Sequence, residues 1–157
     1  MEERTPDTSY VEMTELVIPE NINPLGSVLG GYVLHLIDTA GAISASRFCS
    51  NTVVTASIDS VDFKHPVRVG EVLNLKGRVN WAGTTSMEVG VDVYSENLNS
   101  GRRNLTCTAF LTFVAVDKDL NKVNVPRLIT TTEEEKRCYK EAEKRRKVRI
   151  ARLNSQQ

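Results

Sequence analysis

The sequence predicts an α+β fold in which a single antiparallel sheet wraps around one central helix, with a further helix at the C-terminus. Between Gly31 and Cys49, apolar residues recur at helical spacing on one face, and the opposite face carries small and apolar residues around one charge, Asp38. Four later stretches alternate apolar and polar residues and are joined by short turns, as antiparallel strands are. Both faces of the helix carry apolar residues that must be buried, and the edge strands of the sheet have unpaired backbone groups. We therefore expect at least a two-fold dimer.

The predicted elements follow in order along the chain. Five strands are predicted, over residues 11–18, 53–63, 72–81, 86–94 and 105–116. The last four are expected to form an antiparallel meander, because parallel neighbours would need crossover connections of a dozen or more residues. Thr132 and Glu135 match a capping box and the basic residues come late in the following segment, so a helix is predicted from Glu133 to about Arg152.

Length favours one domain. The segment from Glu133 to Arg152 has nine Lys or Arg and five Glu, which indicates a solvated helix, with binding of a polyanionic ligand or neighbour as the alternative. We expect a flexible N-terminus over residues 1–9, a folded domain over 10–128 and a charged helical tail over 129–157. Lys plus Arg equals Asp plus Glu at 20 each, so no overall field favours nucleic acid or an anionic membrane. The sequence has neither an apolar run of bilayer length nor a secretory h-region. We therefore expect a cytoplasmic protein with no nucleic-acid or membrane partner.

The sequence lacks the motifs that several other kinds of enzyme chemistry require. Cys49, Cys107 and Cys138 are odd in number and widely spaced, which indicates reduced thiols and neither a disulfide framework nor a metal site. There is no phosphate-binding P-loop, no Gly-x-Ser-x-Gly nucleophile motif and no metal-ligand spacing. His35 and His65 stand in a helix and a bend without a nucleophile motif. We expect no metal, and no cofactor other than a group carried by the substrate.

The remaining candidates are Asn23, the glycine pair Gly30–Gly31 and Asp38. The glycines open the helix, where free N–H groups and the positive end of the dipole can stabilise the oxyanion of acyl transfer. Without side chains there, a ligand can approach the backbone closely. Asp38 can act as a general base or a nucleophile, and Asn23 can hold a water or a carbonyl. Structural roles stay open for each of them: a turn for the glycines and Asn23, and an interface pair for Asp38.

The motif Asn-x-x-Gly-x-x-x-Gly-Gly occupies residues 23–31, and Asp38 follows the first glycine of the pair by eight positions. With the segments 54–71, 83–89 and 113–117 in the same order, the sequence resembles the hotdog-fold acyl-CoA thioesterases. It is most similar to the acyl-CoA hydrolase branch that includes the brain-type cytosolic enzymes. The similarity covers roughly residues 10–128 and also includes Val-Pro at 125–126.

The resemblance implies hydrolysis of a fatty acyl-CoA thioester to the free acid and coenzyme A. It also implies dimers joined into one continuous sheet, often three dimers together, with active sites at the dimer interface. In such enzymes the residue matching Asp38 is the base or nucleophile, and the residue matching Asn23 comes from the facing subunit. The backbone at Gly30 or Gly31 forms the oxyanion site, and Thr55 helps to hold the water.

The turn from Gly83 to Met87 resembles a segment that contacts coenzyme A or the acyl pocket. Candidate coenzyme A ligands are therefore Thr84, Thr85, Ser86 and Arg68. Many relatives have Arg where Thr84 stands, and some have His where Leu29 stands. Lys64, Arg102 and the basic tail are alternatives to Arg68 for the phosphate contact, since phosphates pair with Arg or Lys.

Two other functions compete with hydrolysis. The first is a non-catalytic acyl-CoA-binding or sensor protein on the same fold, against which the presence of Asp38 argues. The second is a hydratase or dehydratase, which would use a histidine with an acid near the helix start. Neither His35 nor His65 is expected to lie suitably for that chemistry.

Overall fold

Helix α1, Gly30–Cys49, lies against the inner face of a curled five-stranded antiparallel sheet. The structure is a computed structural model that describes residues 2–156; Met1, from the expected flexible N-terminus, and Gln157, from the expected helical tail, lie outside it. The strands are β1 (Glu3–Arg4), β2 (Val11–Leu16), β3 (Thr52–Ile58), β4 (Val72–Ala82), β5 (Ser86–Glu96), β6 (Arg103–Val116) and β7 (Arg127–Leu128). The C-terminal helix α2 is Glu133–Ser155. The predicted α+β architecture is confirmed.

The strand order of the main sheet is β2-β4-β5-β6-β3, with every neighbouring pair antiparallel. Strands β4, β5 and β6 form the predicted meander, but the prediction that β3 begins it was wrong, because β3 pairs with β6 at the far edge. The reason is that β3 ends at Ile58 and not at Phe63. The 13 residues from 59 to 71 are then long enough to carry the chain across to β4.

The core lies between α1 and the inner face of the sheet. On α1, the buried apolar residues include Val33, Leu36, Ile37, Ala40, Phe48 and Cys49. Ala45 is fully buried as well, whereas Ile43 is only half-buried. A Cβ added at Gly41 would lie 2.9 Å from the ring of Phe113, so the helix backbone contacts β6 closely at this position. Glycine permits an approach that any side chain would prevent.

Within the N-terminal segment that was expected to be flexible, Glu3–Arg4 form β1 and Pro6–Ser9 form a 3-10 helix. Strand β1 pairs in parallel with β7. The guanidinium of Arg4 donates to the carbonyl oxygen of Phe48 at 2.8 Å and so satisfies an acceptor at the end of α1. The fully buried hydroxyl of Ser9 accepts a hydrogen bond from the N–H of Val79 at 2.8 Å. These contacts are long-range, so the local sequence pattern did not predict them.

Helix α2 packs on the outer face of the sheet. Its N-terminus has the predicted capping box, with reciprocal hydrogen bonds between Thr132 and Glu135. Further along, Arg145 donates through Nη2 and Nε to both carboxylate oxygens of Glu88, at 2.7 and 2.9 Å. The guanidinium also stacks over Phe110, 3.5 Å from the ring centroid. Since only 2% of the Glu88 side chain is exposed, this bidentate pair anchors the helix to the sheet.

The three cysteines are free thiols. Cys49 and Cys107 are buried and Cys138 is partly exposed. Burial, with a contribution from the carboxylate of Asp92, raises the pKa of the Cys107 thiol to about 11. The thiol therefore stays protonated at neutral pH and packs as a small apolar group. Among the described residues, no helix has both the length and the hydrophobicity of a membrane-spanning segment.

Replacing Arg145 with Met should lower the stability of the protein. The change leaves the Glu88 carboxylate buried without a partner, so we expect a loss of about 3 kcal/mol in the free energy of unfolding. Urea denaturation at one fixed protein concentration measures it. The double variant Glu88→Met/Arg145→Met should recover much of the loss, and the exposed control Lys147→Met should change little. Equal stability of Arg145→Met and wild type would contradict the role given to this pair.

Candidate active site

Asp38 and Thr55 form a hydrogen-bonded pair where α1 meets the edge strand β3. The Thr55 hydroxyl donates to Oδ1 of Asp38 at 2.7 Å. Asp38 is half-buried, and within residues 2–156 its other oxygen, Oδ2, accepts no hydrogen bond. The hydroxyl holds the carboxylate in one orientation and leaves one oxygen to accept a proton from water or to attack a carbon.

The start of α1 offers two unpaired backbone donors. No side chain caps the helix, and the N–H groups of Tyr32 and Val33 both donate to the carbonyl oxygen of Leu29. The N–H groups of Gly30 and Gly31 have no acceptor among the described residues. A Cβ at Gly31 would meet nothing within 4 Å, so a ligand has room to reach this backbone. Two adjacent donors at the positive end of a helix can stabilise an oxyanion.

Asn23 holds the loop that leads into α1. Its Oδ1 accepts hydrogen bonds from the N–H groups of Leu25 at 2.9 Å and Ser27 at 3.1 Å. Arg68 supports the same loop, because its Nη1 donates to the carbonyl oxygen of Leu25 at 2.8 Å. The amide oxygen of Asn23 therefore has a structural role, and its amide nitrogen is the group left for a ligand.

The predicted coenzyme A segment, Thr84–Ser86, lies at the turn between β4 and β5. Its backbone is fixed by a hydrogen bond from the N–H of Ala115 to the carbonyl oxygen of Thr85 at 2.9 Å. Ser86 pairs with Val114 on β6, which pairs in turn with the residue preceding Thr55 on β3. Two strand spacings separate the segment from β3, which is about 10 Å.

Apart from the Thr84–Ser86 turn, the predicted site residues form two groups in one subunit. Asn23, Gly30, Gly31 and Arg68 lie at the loop and the helix start, whereas Asp38 lies further along α1 and pairs with Thr55 on β3. Seven residues, about two turns, separate Gly31 from Asp38, and at 1.5 Å per residue this is about 10 Å along the axis. One small reacting group cannot contact both groups of a single subunit at hydrogen-bonding distance.

A cavity of about 330 Å³ opens beside the helix start. Gly30 forms part of its wall together with Val28, Val33, Phe63, Val67 and Thr106. The phenyl ring of Phe63 lies 3.5 Å from the position that a Cβ on Gly30 would take. His65 also lines this cavity, although we expected neither histidine to lie near the helix start.

Sequence reasoning did not single out Phe63 and Thr106 as site residues. Phe63 follows the end of β3, and Thr106 lies on β6, so they reach Gly30 only through the crossover and sheet pairing. The segment 54–71, which carries the family resemblance, contains Phe63 and was a signal that could have found it. No local signal marked Thr106. Within residues 2–156, no cluster of three or more metal-ligating side chains is present.

The curled sheet around a central helix is the hotdog fold, and a family model described as the thioesterase superfamily matches residues 25–101. The chain is also 43% identical over 136 residues to the uncharacterized acyl-CoA thioester hydrolase YkhA of Bacillus subtilis (strain 168), covering 83% of this chain and 79% of that protein. It therefore belongs to the thioesterase superfamily, and within it to the hotdog-fold acyl-CoA thioester hydrolases.

Other relatives agree with this assignment. The cytosolic acyl coenzyme A thioester hydrolase of Rattus norvegicus is 33% identical over 146 residues, which are 92% of this chain and 38% of that longer protein. A solved apo-hexameric acyl-CoA thioesterase is 45% identical, with a TM-score of 0.94 and 98% of each chain covered. The family resemblance and the hotdog fold predicted from the sequence are confirmed.

The acyl-CoA hydrolase of Staphylococcus aureus has been solved in complex with butyryl coenzyme A, coenzyme A and coenzyme A disulfide. It is 32% identical to this chain, with a TM-score of 0.91, covering 98% of this chain and 94% of that one. Three further structures of that enzyme carry alanine in place of an asparagine, an aspartate or a threonine.

Replacing Asn23 with Ala should loosen the loop before α1. The change removes the acceptor of two backbone N–H groups, so we expect a loss of about 1 kcal/mol in the free energy of unfolding. Asn23→Asp keeps the acceptor oxygen and should stay close to wild type, since Asp forms the same turn. Chemical denaturation of the three proteins tests this. An Asp variant as unstable as the Ala variant would count against the structural role of Oδ1.

Proposed function

We propose that the protein hydrolyses acyl-CoA thioesters to the free acid and coenzyme A. The observation that carries the proposal is the carboxylate of Asp38, oriented by the Thr55 hydroxyl at the edge of the sheet. The unpaired N–H groups of Gly30 and Gly31 supply the second requirement of acyl transfer, an oxyanion site. Four relatives named as acyl-CoA hydrolases or thioesterases support the same substrate class.

Each active site is built from two copies of the chain. Thr55, which holds the Asp38 carboxylate, lies on β3, and β3 is an edge strand with an exposed row of backbone groups. A second copy paired along β3 continues the sheet and brings this carboxylate to the helix start and Asn23 of the facing subunit. The two groups are about 10 Å apart within one subunit. In such a dimer, the helix start of one subunit and the Asp38 carboxylate of the other can contact the same thioester. Three dimers form the assembly, in keeping with the hexameric relative.

In the reaction, the thioester carbonyl oxygen accepts hydrogen bonds from the N–H groups of Gly30 and Gly31 of one subunit. The amide nitrogen of Asn23 positions the carbonyl or the water beside it. Asp38 of the other subunit removes a proton from the water, which attacks the carbonyl carbon, or it attacks that carbon itself. Collapse of the tetrahedral intermediate breaks the C–S bond, and the coenzyme A thiolate leaves and takes up a proton. If water is the nucleophile, this step gives the free acid directly. If Asp38 is the nucleophile, the acyl group is left as a mixed anhydride on its carboxylate, and a water then hydrolyses the anhydride to the free acid and restores Asp38.

The spacing of three residues supports the assignment of Asn23, Asp38 and Thr55. In the Staphylococcus aureus enzyme, the substituted asparagine and aspartate are 15 positions apart, and the aspartate and threonine are 17 apart. Asn23 and Asp38 are also 15 positions apart, and Asp38 and Thr55 are 17 apart. A shared spacing in a chain of the same fold favours equivalent positions for the three residues.

Coenzyme A binds through the Thr84–Ser86 turn and Arg68. Thr84, Thr85 and Ser86 offer hydroxyl groups near β3, where the dimer closes. Arg68 uses one N–H for the Leu25 carbonyl and keeps the other guanidinium donors for phosphate. The chemistry needs no cofactor beyond the coenzyme A of the substrate. The rat relative is named cytosolic, which supports a cytoplasmic location for this protein.

Replacing Asp38 with Asn should abolish hydrolysis while binding persists. Asn is isosteric but cannot accept the proton, so kcat for butyryl-CoA should fall by about 10³-fold, measured as free thiol released. The exposed Asp119→Asn serves as the control and should keep wild-type activity. If wild type binds butyryl-CoA but releases no more thiol than Asp38→Asn, the protein is an acyl-CoA sensor and the proposal fails.

Mixing two inactive variants should restore activity if each site spans two subunits. Asn23→Asp and Asp38→Asn each inactivate every site of their own assembly. After subunit exchange, half of the dimers are mixed and each has one intact site, so about a quarter of wild-type activity should return. The unexchanged mixture is the control. No recovery despite demonstrated exchange would show that Asn23 and Asp38 act within one subunit.

A further inference from the structure

Thr106 occupies a β-bulge on β6. Val93 of β5 pairs with Cys107, and the next residue, Tyr94, pairs with Leu105, so Thr106 is the extra residue between them. A bulge redirects the side chain of the extra residue and is frequent beside active sites. Here it brings Thr106 to the wall of the cavity that also contains Gly30.

The Thr106 hydroxyl has no hydrogen-bond partner within the described residues. Only 1% of the residue is exposed, so bulk water does not satisfy the hydroxyl either. Buried polar groups are paired in the great majority of cases, and an unpaired one in the wall of a cavity calls for a partner from a ligand. Around it, Val28, Val33 and Phe63 offer apolar surface, and the other polar side chain of the cavity wall, His65, makes no hydrogen bond to the Thr106 hydroxyl.

The cavity suits an acyl group and not the coenzyme A arm. Its wall includes Val33 and Val67 of the hydrophobic core as well as the exposed Phe63, so most of the surface that it offers is apolar. The coenzyme A arm must instead lead out to solvent. A volume of about 330 Å³ is that of roughly 11 water molecules in the liquid, enough for a short acyl chain.

We propose that this cavity is the acyl subsite and that the Thr106 hydroxyl binds a hydroxyl or carbonyl group on a short acyl chain. The inference rests on the proposed thioesterase function, because the thioester carbonyl at Gly30 directs the acyl chain into the cavity. A buried group built to hydrogen-bond a substrate discriminates against the analogue that lacks the matching group. The preferred substrates are therefore short acyl-CoA thioesters that carry a hydrogen-bonding substituent.

The test compares 3-hydroxybutyryl-CoA with butyryl-CoA in wild type, Thr106→Val and Thr106→Ser. Val has the shape of Thr without the hydroxyl, and Ser keeps the hydroxyl. We expect the ratio of kcat/KM for the hydroxylated over the plain substrate to fall at least about fivefold in Thr106→Val and to persist in Thr106→Ser. The proposal is overturned if this ratio is the same in Thr106→Val as in wild type, even when kcat/KM itself falls equally for both substrates. Release of free thiol separates hydrolysis from dehydration of the hydroxyacyl group, in which the thioester persists.

A binding measurement separates this inference from the proposed function. Calorimetric titration of Asp38→Asn, with and without Thr106→Val, gives the affinity for both thioesters without turnover. Loss of the preference for 3-hydroxybutyryl-CoA in the double variant supports the Thr106 assignment, and an equal preference in both proteins overturns it. Absence of thiol release by wild type would instead disprove hydrolysis, while the affinities still decide the role of Thr106.

Discussion

The close contact between α1 and β6 at Gly41 sets the position of everything else in the site. With no side chain at Gly41, the helix backbone rests against the Phe113 ring, and Phe113 is the cross-strand partner of Thr55. Asp38 lies one turn before Gly41 on the helix, which brings its carboxylate within 2.7 Å of the Thr55 hydroxyl. A packing constraint in the core therefore determines the geometry of the candidate catalytic pair.

Helix α1 also holds the two chemical groups of the candidate site apart. Its start carries the unpaired N–H groups of Gly30 and Gly31, and its middle carries the carboxylate, two turns away. A rigid helix cannot bring both groups of one subunit to the same carbonyl. In the proposed dimer, the exposed edge strand β3, which would otherwise be open to aggregation, is where two copies would complete each other's sites.

Helix α2 adds stability on the outer face, away from α1. Its anchor is a bidentate ion pair between Arg145 and the almost fully buried Glu88, covered by the Phe110 ring. For Arg145, one of the basic residues of the tail, the role is therefore to balance the buried charge of Glu88. The crossover of residues 59–71, which connects β3 to β4, contributes Phe63 to the wall of the cavity beside Gly30. The segment that makes the strand order differ from the predicted meander is therefore also part of the site.

The sequence by itself determined the helix, the strands from 72 to 116 and the family, because their periodicities and motifs are local and contiguous. It also marked Asn23, Gly30–Gly31 and Asp38 as candidates, since acyl transfer needs those groups. Only the tertiary structure decided that β3 pairs with β6, that Arg4 and Ser9 anchor the N-terminus, and that Thr106 faces the helix start. Those relations join residues far apart in the chain through a crossover and a bulge, and no local spacing encodes them.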